Sequence, residues 1–280
     1  MSFNDRETSR AAGLPINLYD IRYGPEDTSI RYYTNLATEL VIGSGESAIT
    51  YLPLPIKHSD IVSTGGLDKT SVELELPESC DIAALYSSAP PSTVVSVIIR
   101  QGHAEDLDFK VCWAGKVLGG SFREAVLVLD CEPISSSLRR TGLTRTYQYA
   151  CPLVLYGTRC GASKAAATSA ATVGSVSGPL VTLSGDWAPS GLRDKFIGGM
   201  AEWEDASGRV TRRGIVNRAG NVLTLSSEIP AMEASDTLSI VLGCSHLQED
   251  CAEVHDNILN FGGQPAIPLK NPTGITNSYN

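Results

Sequence analysis

Short runs of alternating apolar and polar residues, broken every few positions by Gly or Pro, constrain this chain more than any other feature. Val72-Glu73-Leu74-Glu75-Leu76 sets Val72, Leu74 and Leu76 on one side of the backbone and both glutamates on the other. A period of two is what a strand with one buried face requires. Further β-rich runs are read over Val94–Arg100, Phe109–Ala114 and Ala125–Asp130. Pro90-Pro91, a polar turn around Gly102-His103, and Gly119-Gly120 are read as their separators. In the second half, Trp203 and Val210 flank Asp205-Ala206-Ser207-Gly208, while Ile215-Val216 and Val222–Leu225 flank Arg218-Ala219-Gly220-Asn221. Both loops end in residues that tolerate positive φ, as tight hairpins demand. Leu238–Leu242 adds another strand. The expected class is mainly β with antiparallel pairing.

One segment resists the pattern. Gly161–Gly178 is rich in Ala, Ser and Thr, and Lys164-Ala165-Ala166-Ala167 favours a helix by propensity. It lacks the apolar stripe that a packed helix buries, so a small-residue connector is the other reading. The carboxyl end, with Gly262-Gly263-Gln264-Pro265 and then Pro268–Pro272, reads as an extended tail ordered by docking. No repeat of solenoid length is visible.

A chain of 280 residues has room for two domains. The formal charge of −9 argues against a protein that grips nucleic acid through a basic face, because such binding draws on clustered Lys and Arg. The first residues hold no apolar stretch of signal-peptide length, and Val94–Ile99 is far shorter than the roughly 20 residues that span a bilayer. The chain is therefore expected to stay in the cytoplasm or in a particle assembled there, without inserting into a membrane. Seven cysteines are too sparse for a disulfide scaffold, and their odd number leaves one unpaired, which favours a reducing compartment.

Cys80, Cys112 and Cys131 read as small apolar core residues. The other four form two pairs, Cys151 with Cys160 and Cys244 with Cys251. Four thiolates meeting at one point suit a tetrahedral zinc or a cubane iron–sulfur cluster. Structural zinc knuckles usually hold about two to four residues between paired cysteines. Here eight and six intervene, a spacing that suits a larger group without excluding zinc or plain buried thiols. His246 and His255 flank Cys251 and raise a mixed ligand set, although a histidine so placed is more often hydrogen-bonded. His58 and His103 have no partner pattern. Glu105, Asp106 and Asp108 read as a solvated turn, and Gly43-Ser44-Gly45 lacks the following Lys of a phosphate loop.

Together the stretches Leu138–Tyr147, Cys151–Cys160, Gly243-Cys244 with Cys251, and Asn257 with Asn260-Phe261-Gly262-Gly263-Gln264-Pro265 resemble the tail-tip hub family of long-tailed bacteriophages and gene transfer agents. That family includes the lambda tail-tip protein L. Glu7–Asp20 is also similar to the opening of these proteins, so the likeness runs over nearly the whole chain.

The resemblance implies a tail-tube-like β-sandwich or barrel over residues 1–145 and a smaller β-rich domain over 146–280. In the latter, a [4Fe–4S] cluster held by Cys151, Cys160, Cys244 and Cys251 would clamp a β module spanning about 165–243. It further implies a homotrimeric, non-enzymatic baseplate hub in the virion, assembled in the bacterial host cytoplasm. Such a hub joins the tail tube or distal tail protein to a central spike or fibre protein and continues the DNA channel. An acidic lumen would let DNA pass as cargo without adhesion. Pro152 departs from the basic or polar residue common after the first cysteine, and removes a backbone donor there. Arg139, Arg140, Arg145 and Arg159 are candidates to offset cluster charge, or a solvated surface. Asn257 and Asn260 are candidates to hydrogen-bond the ligand loops, or to cap a turn.

Two other functions compete with this one. A tail-tip cysteine peptidase would use Cys151 or Cys244 as nucleophile and His246 or His255 as base. A redox protein would accept the cluster but need an electron partner that nothing in the sequence indicates.

Overall fold

The computed structural model describes residues 15–24, 30–45, 48–62, 71–87, 90–103, 108–139, 142, 145–206 and 208–267. Glu7–Leu14, Glu105, Asp106, Arg140 and the tail from Pro268 lie outside the described residues. The chain is mainly β and divides between residues 141 and 142 into two compact units.

The first unit contains β1 (Pro15–Arg22), β2 (Ile30–Thr34), β3 (Leu40–Ile42), β4 (Ile49–Pro53) and β5 (Lys57–His58). It continues with β6 (Val72–Pro77), β7 (Ser96–His103), β8 (Lys110–Arg123) and β9 (Val126–Pro133). These form one sheet in the order β3-β4-β2-β1-β7-β8-β9-β6-β5, antiparallel except for β2 with β4. Alternation along β6 places Val72, Leu74 and Leu76 in the core and turns Glu73 and Glu75 to solvent. β1 is buried on both faces. Tyr19 and Ile21 join the main core with the helix residues Ile82 and Ala83, while Ile16 and Leu18 pack with Tyr51.

Three expectations fail in this unit. Gly102 and His103 are not a turn but the end of β7, paired with Ile16 and Pro15 of β1. Gly119-Gly120 does not separate strands either, since β8 runs through both with a bulge between Val117 and Gly119. The reversal comes at Glu124, whose φ is 56°. Cys112 is exposed, not a core residue, because it sits on β8 opposite the buried face that Trp113 occupies. Cys80 and Cys131 are buried as expected, and burial pushes the Cys131 thiol up to about 12.

The second unit is built around a closed barrel of β10 (Thr168–Ser177), β11 (Leu180–Ser184), β12 (Met200–Glu204), β13 (Val210–Ala219), β14 (Val222–Leu225) and β15 (Thr237–Val241). Its order is β10-β11-β14-β13-β12-β15, with β15 pairing back onto β10. Val173, Val181, Leu183, Ala201, Ile215, Leu223, Leu238 and Ile240 fill it, and Phe196 packs edge-on against Trp187. Both hairpins form where expected, with Gly208 and Gly220 at positive φ.

The Ala/Ser/Thr segment is the second unit's correction. Lys164–Ala167 coils into a turn, and Thr168–Ser177 is β10. Closure of the barrel needs a strand between β15 and β11, and that pairing overrides the helix propensity of small residues.

Candidate metal centre

The barrel's register explains how cysteines so distant in sequence meet. Thr168 at the start of β10 pairs with Val241 at the end of β15, and Leu242 N–H donates to Ala167 O at 3.0 Å. The chain therefore enters and leaves the barrel side by side. Cys151 and Cys160 precede the entry and Cys244 and Cys251 follow the exit, so all four are delivered to one end. They line a single small pocket together with Leu153, Leu155 and Leu247. None of the seven cysteines forms a disulfide among the described residues.

Backbone ties fix the loops around this cavity. Cys151 N–H donates to His246 O at 2.8 Å, and the His246 ring returns a bond from Nδ1 to Cys151 O at 3.0 Å. His255 Nε2 lies 2.9 Å from Gly243 O, and Tyr156 OH donates to Leu242 O at 2.6 Å. Carbonyls only accept, so each of these ring nitrogens carries its proton. His246 and His255 are positioned to brace the loops.

Polar groups also reach the sulfurs. His246 N–H donates to Cys244 Sγ at 3.3 Å, and Asn257 Nδ2 lies 3.7 Å from Cys160 Sγ. The Asn-Phe-Gly-Gly segment closes over the first cysteine. A Cβ on Gly262 would stand 2.9 Å from Leu153 and 3.5 Å from Cys151 Sγ, and one on Gly263 would meet Tyr149 O at 2.5 Å. Gln264 N–H donates to Gln148 O, so the tail docks on the segment that leads into Cys151.

The shared pocket also affects two of the thiols. Burial pushes the Cys244 thiol up, the His246 hydrogen bond opposes this, and Asp250, Cys151 and Cys160 add to the rise. Cys251 is raised by burial and then by Cys244, Cys151 and Cys160. Thiols that repel one another as thiolates gain most from a cation placed between them. Donor chemistry of this kind, soft sulfur with N–H groups aimed at it, suits zinc or an iron–sulfur cluster. Among the described residues, no three of His, Cys, Asp or Glu form a group that could hold one metal ion. Thiolates on a single zinc at 2.3 Å stand only about 3.8 Å apart, whereas those on a cubane stand farther.

Several contributors carry no sequence signal. Lys195, in the turn before β12, reaches Asp250 Oδ1 at 2.6 Å, while Ser245 N–H donates to Asp250 Oδ2 at 2.9 Å. Burial would raise the Asp250 carboxyl, but these bonds outweigh it and hold it at about 2. Tyr156, His246 and Asp256 all adopt positive φ, a strain that gathers at functional sites. Arg145 donates to Gly262 O at 3.4 Å, whereas Arg159 is exposed. Only hindsight picks out Tyr156 and Asp250, each close to a cysteine in sequence, and nothing marks Lys195.

Residues 194–271 match the sequence family described as phage conserved hypothetical protein BR0599, a span that holds Cys244 and Cys251 but not the first pair. No curated protein matches the chain. A chain of the solved virion of a native gene transfer agent particle has the same fold. It aligns with a TM-score of 0.71 at 18% identity, over 100% of this chain and 98% of that one.

Proposed function

We propose that this protein is a structural, non-enzymatic component of a phage or gene-transfer-agent tail tip, a hub that carries a [4Fe–4S] cluster on Cys151, Cys160, Cys244 and Cys251. The observation that carries the reading is the fold likeness to a virion chain over 100% of this chain and 98% of that one. The phage-family match across the second cysteine pair supports it. In this role the chain assembles as a homotrimer in the host cytoplasm. It joins the tail tube or distal tail protein to a central spike or fibre protein, and its acidic surface lets DNA pass. Among the described residues no helix is long and apolar enough to cross a membrane.

The cluster reading is supported by four thiols on one pocket and by N–H groups directed at two of the sulfurs. When bound, such a cluster would link four points of two loops. The protein's own residues hold those loops ready: His246 couples Cys151 to Cys244, and Tyr156 and His255 fix the strand exit. Cys244 is a poor candidate nucleophile for a peptidase, because such a cysteine needs a lowered pKa and burial pushes the Cys244 thiol up.

Two measurements test these statements. A cryo-EM map of the particle should show three copies around the axis at the tail tip; density in the capsid or neck instead would overturn the hub role. Protein purified without oxygen should be brown, with iron and sulfide in cubane proportion. Colourless protein with one zinc per chain would replace the cluster and leave the structural role standing.

A further inference from the structure

Asn257 stands where a turn cap would be expected, at the start of the single helical turn Ile258–Asn260, yet its side chain makes no capping bond. The amide points instead to a residue 97 positions earlier, with Nδ2 at 2.6 Å from Cys160 O and 3.7 Å from Cys160 Sγ. The backbone of the same residue holds the other pair. Its N–H donates to Cys251 O at 2.8 Å, and its carbonyl accepts from Cys251 Sγ at 3.2 Å while that sulfur is a thiol; the N–H bond is the tie that does not depend on the thiol proton.

The amide's orientation is determined on both sides. Asn260 Nδ2 donates to Asn257 Oδ1 at 2.7 Å, and the Cys160 carbonyl can only accept. A flipped amide would set two oxygens against each other at Cys160. So the N–H₂ group is the one that faces the cysteine, and Asn260 acts through Asn257.

We propose that Asn257 is the positioning residue that joins the two cysteine pairs, its amide fixing the place of Cys160 and drawing electron density from that sulfur. The first half needs only the geometry above; the second rests on the cluster reading. An N–H directed at a ligating sulfur stabilises the more negative, reduced state and raises the reduction potential.

The test uses the full chain, wild type beside Asn257→Asp and Asn257→Ala. Asp keeps the size and the acceptor for Asn260, but replaces the donor with an anionic oxygen. After anaerobic loading with iron and sulfide, both variants should show a more negative midpoint potential than wild type. Both should also lose the cluster to a chelator about 10-fold faster, the scale of outer-sphere substitutions at metal sites.

In unloaded protein, iodoacetamide should modify Cys160 faster in Asn257→Ala than in wild type, referenced to Cys112 on the exposed face of β8. An unchanged melting transition of the barrel would show that the variants fold. Unchanged labelling of Cys160 overturns the positioning role, whether or not wild type takes up iron and sulfide. An unchanged potential in loaded variants overturns the electronic role. Wild type that takes up no iron and sulfide overturns the cluster reading and the electronic role with it.

Discussion

Within the second unit, the barrel and the cysteine loops are held together by different forces. Large apolar side chains such as Phe196, Leu183 and Leu238 are fully buried in the barrel. Across 145–166 and 244–267, the buried positions are Asp250, Cys251, Gly262 and Gly263, and no large apolar side chain is among them. Val154 and Leu259 in those loops are 78% and 97% exposed. The barrel owes its stability to apolar burial. The loops rely on side-chain-to-carbonyl bonds around four cysteines, so their order is expected to be separable from the barrel's.

The largest effect should come from removing a sulfur. Cys160→Ser or Cys251→Ser is expected to abolish amide-exchange protection across the loops and to lower bound iron, while barrel amides stay protected, since metal binding supplies the folding energy of such segments. Loss of protection in both regions together would break the contrast. Phe196→Ala attacks the other side. It should cost about 3–5 kcal/mol in denaturant unfolding of the barrel, and here the loops should fail with it because the barrel brings their ends together.

Asp250→Asn tests the tie between the two regions. Losing the charge that Lys195 and Ser245 stabilise should lower the loop protection and leave the barrel transition nearly in place. A barrel transition that falls as far as in Phe196→Ala would show that the regions act as one.

The smallest effect is confined to acid. Burial would raise the Glu202 carboxyl, but hydrogen bonds from Lys164 and Arg212 hold it below the ordinary value. A carboxyl depressed in the folded state stabilises above its unfolded pKa of about 4.3 and loses that contribution as the pH falls through the folded value. Glu202→Gln should therefore flatten the acid limb of barrel stability below about pH 4.3 and lower the neutral plateau slightly. An acid limb as steep as in wild type would exclude this ion pair as its source.

What could be read from the sequence follows the range of the forces involved. β6 and the two hairpins carry their own instructions, an apolar alternation and turn residues within a few positions, so they were legible. β10 was not, because Ala, Ser and Thr give no alternation and its strand identity comes from β11 and β15. Cys112 was misplaced because bulges at Ile99/Arg100 and Val117/Gly119 break the simple period along β8 and its partners. The cysteines themselves stood out as pairs. Their meeting point depends on the Thr168–Val241 register, a contact across more than seventy residues that no local pattern encodes.

That register also makes the barrel a detour. The chain leaves the cysteine loops at Ala167 and returns beside the same point at Leu242, joined by a single backbone bond. A module whose two ends touch can be exchanged, enlarged or replaced by a tight turn while its host keeps its shape. Everything between the second and third cysteines can therefore change in length or shape without moving the two loops that bracket it.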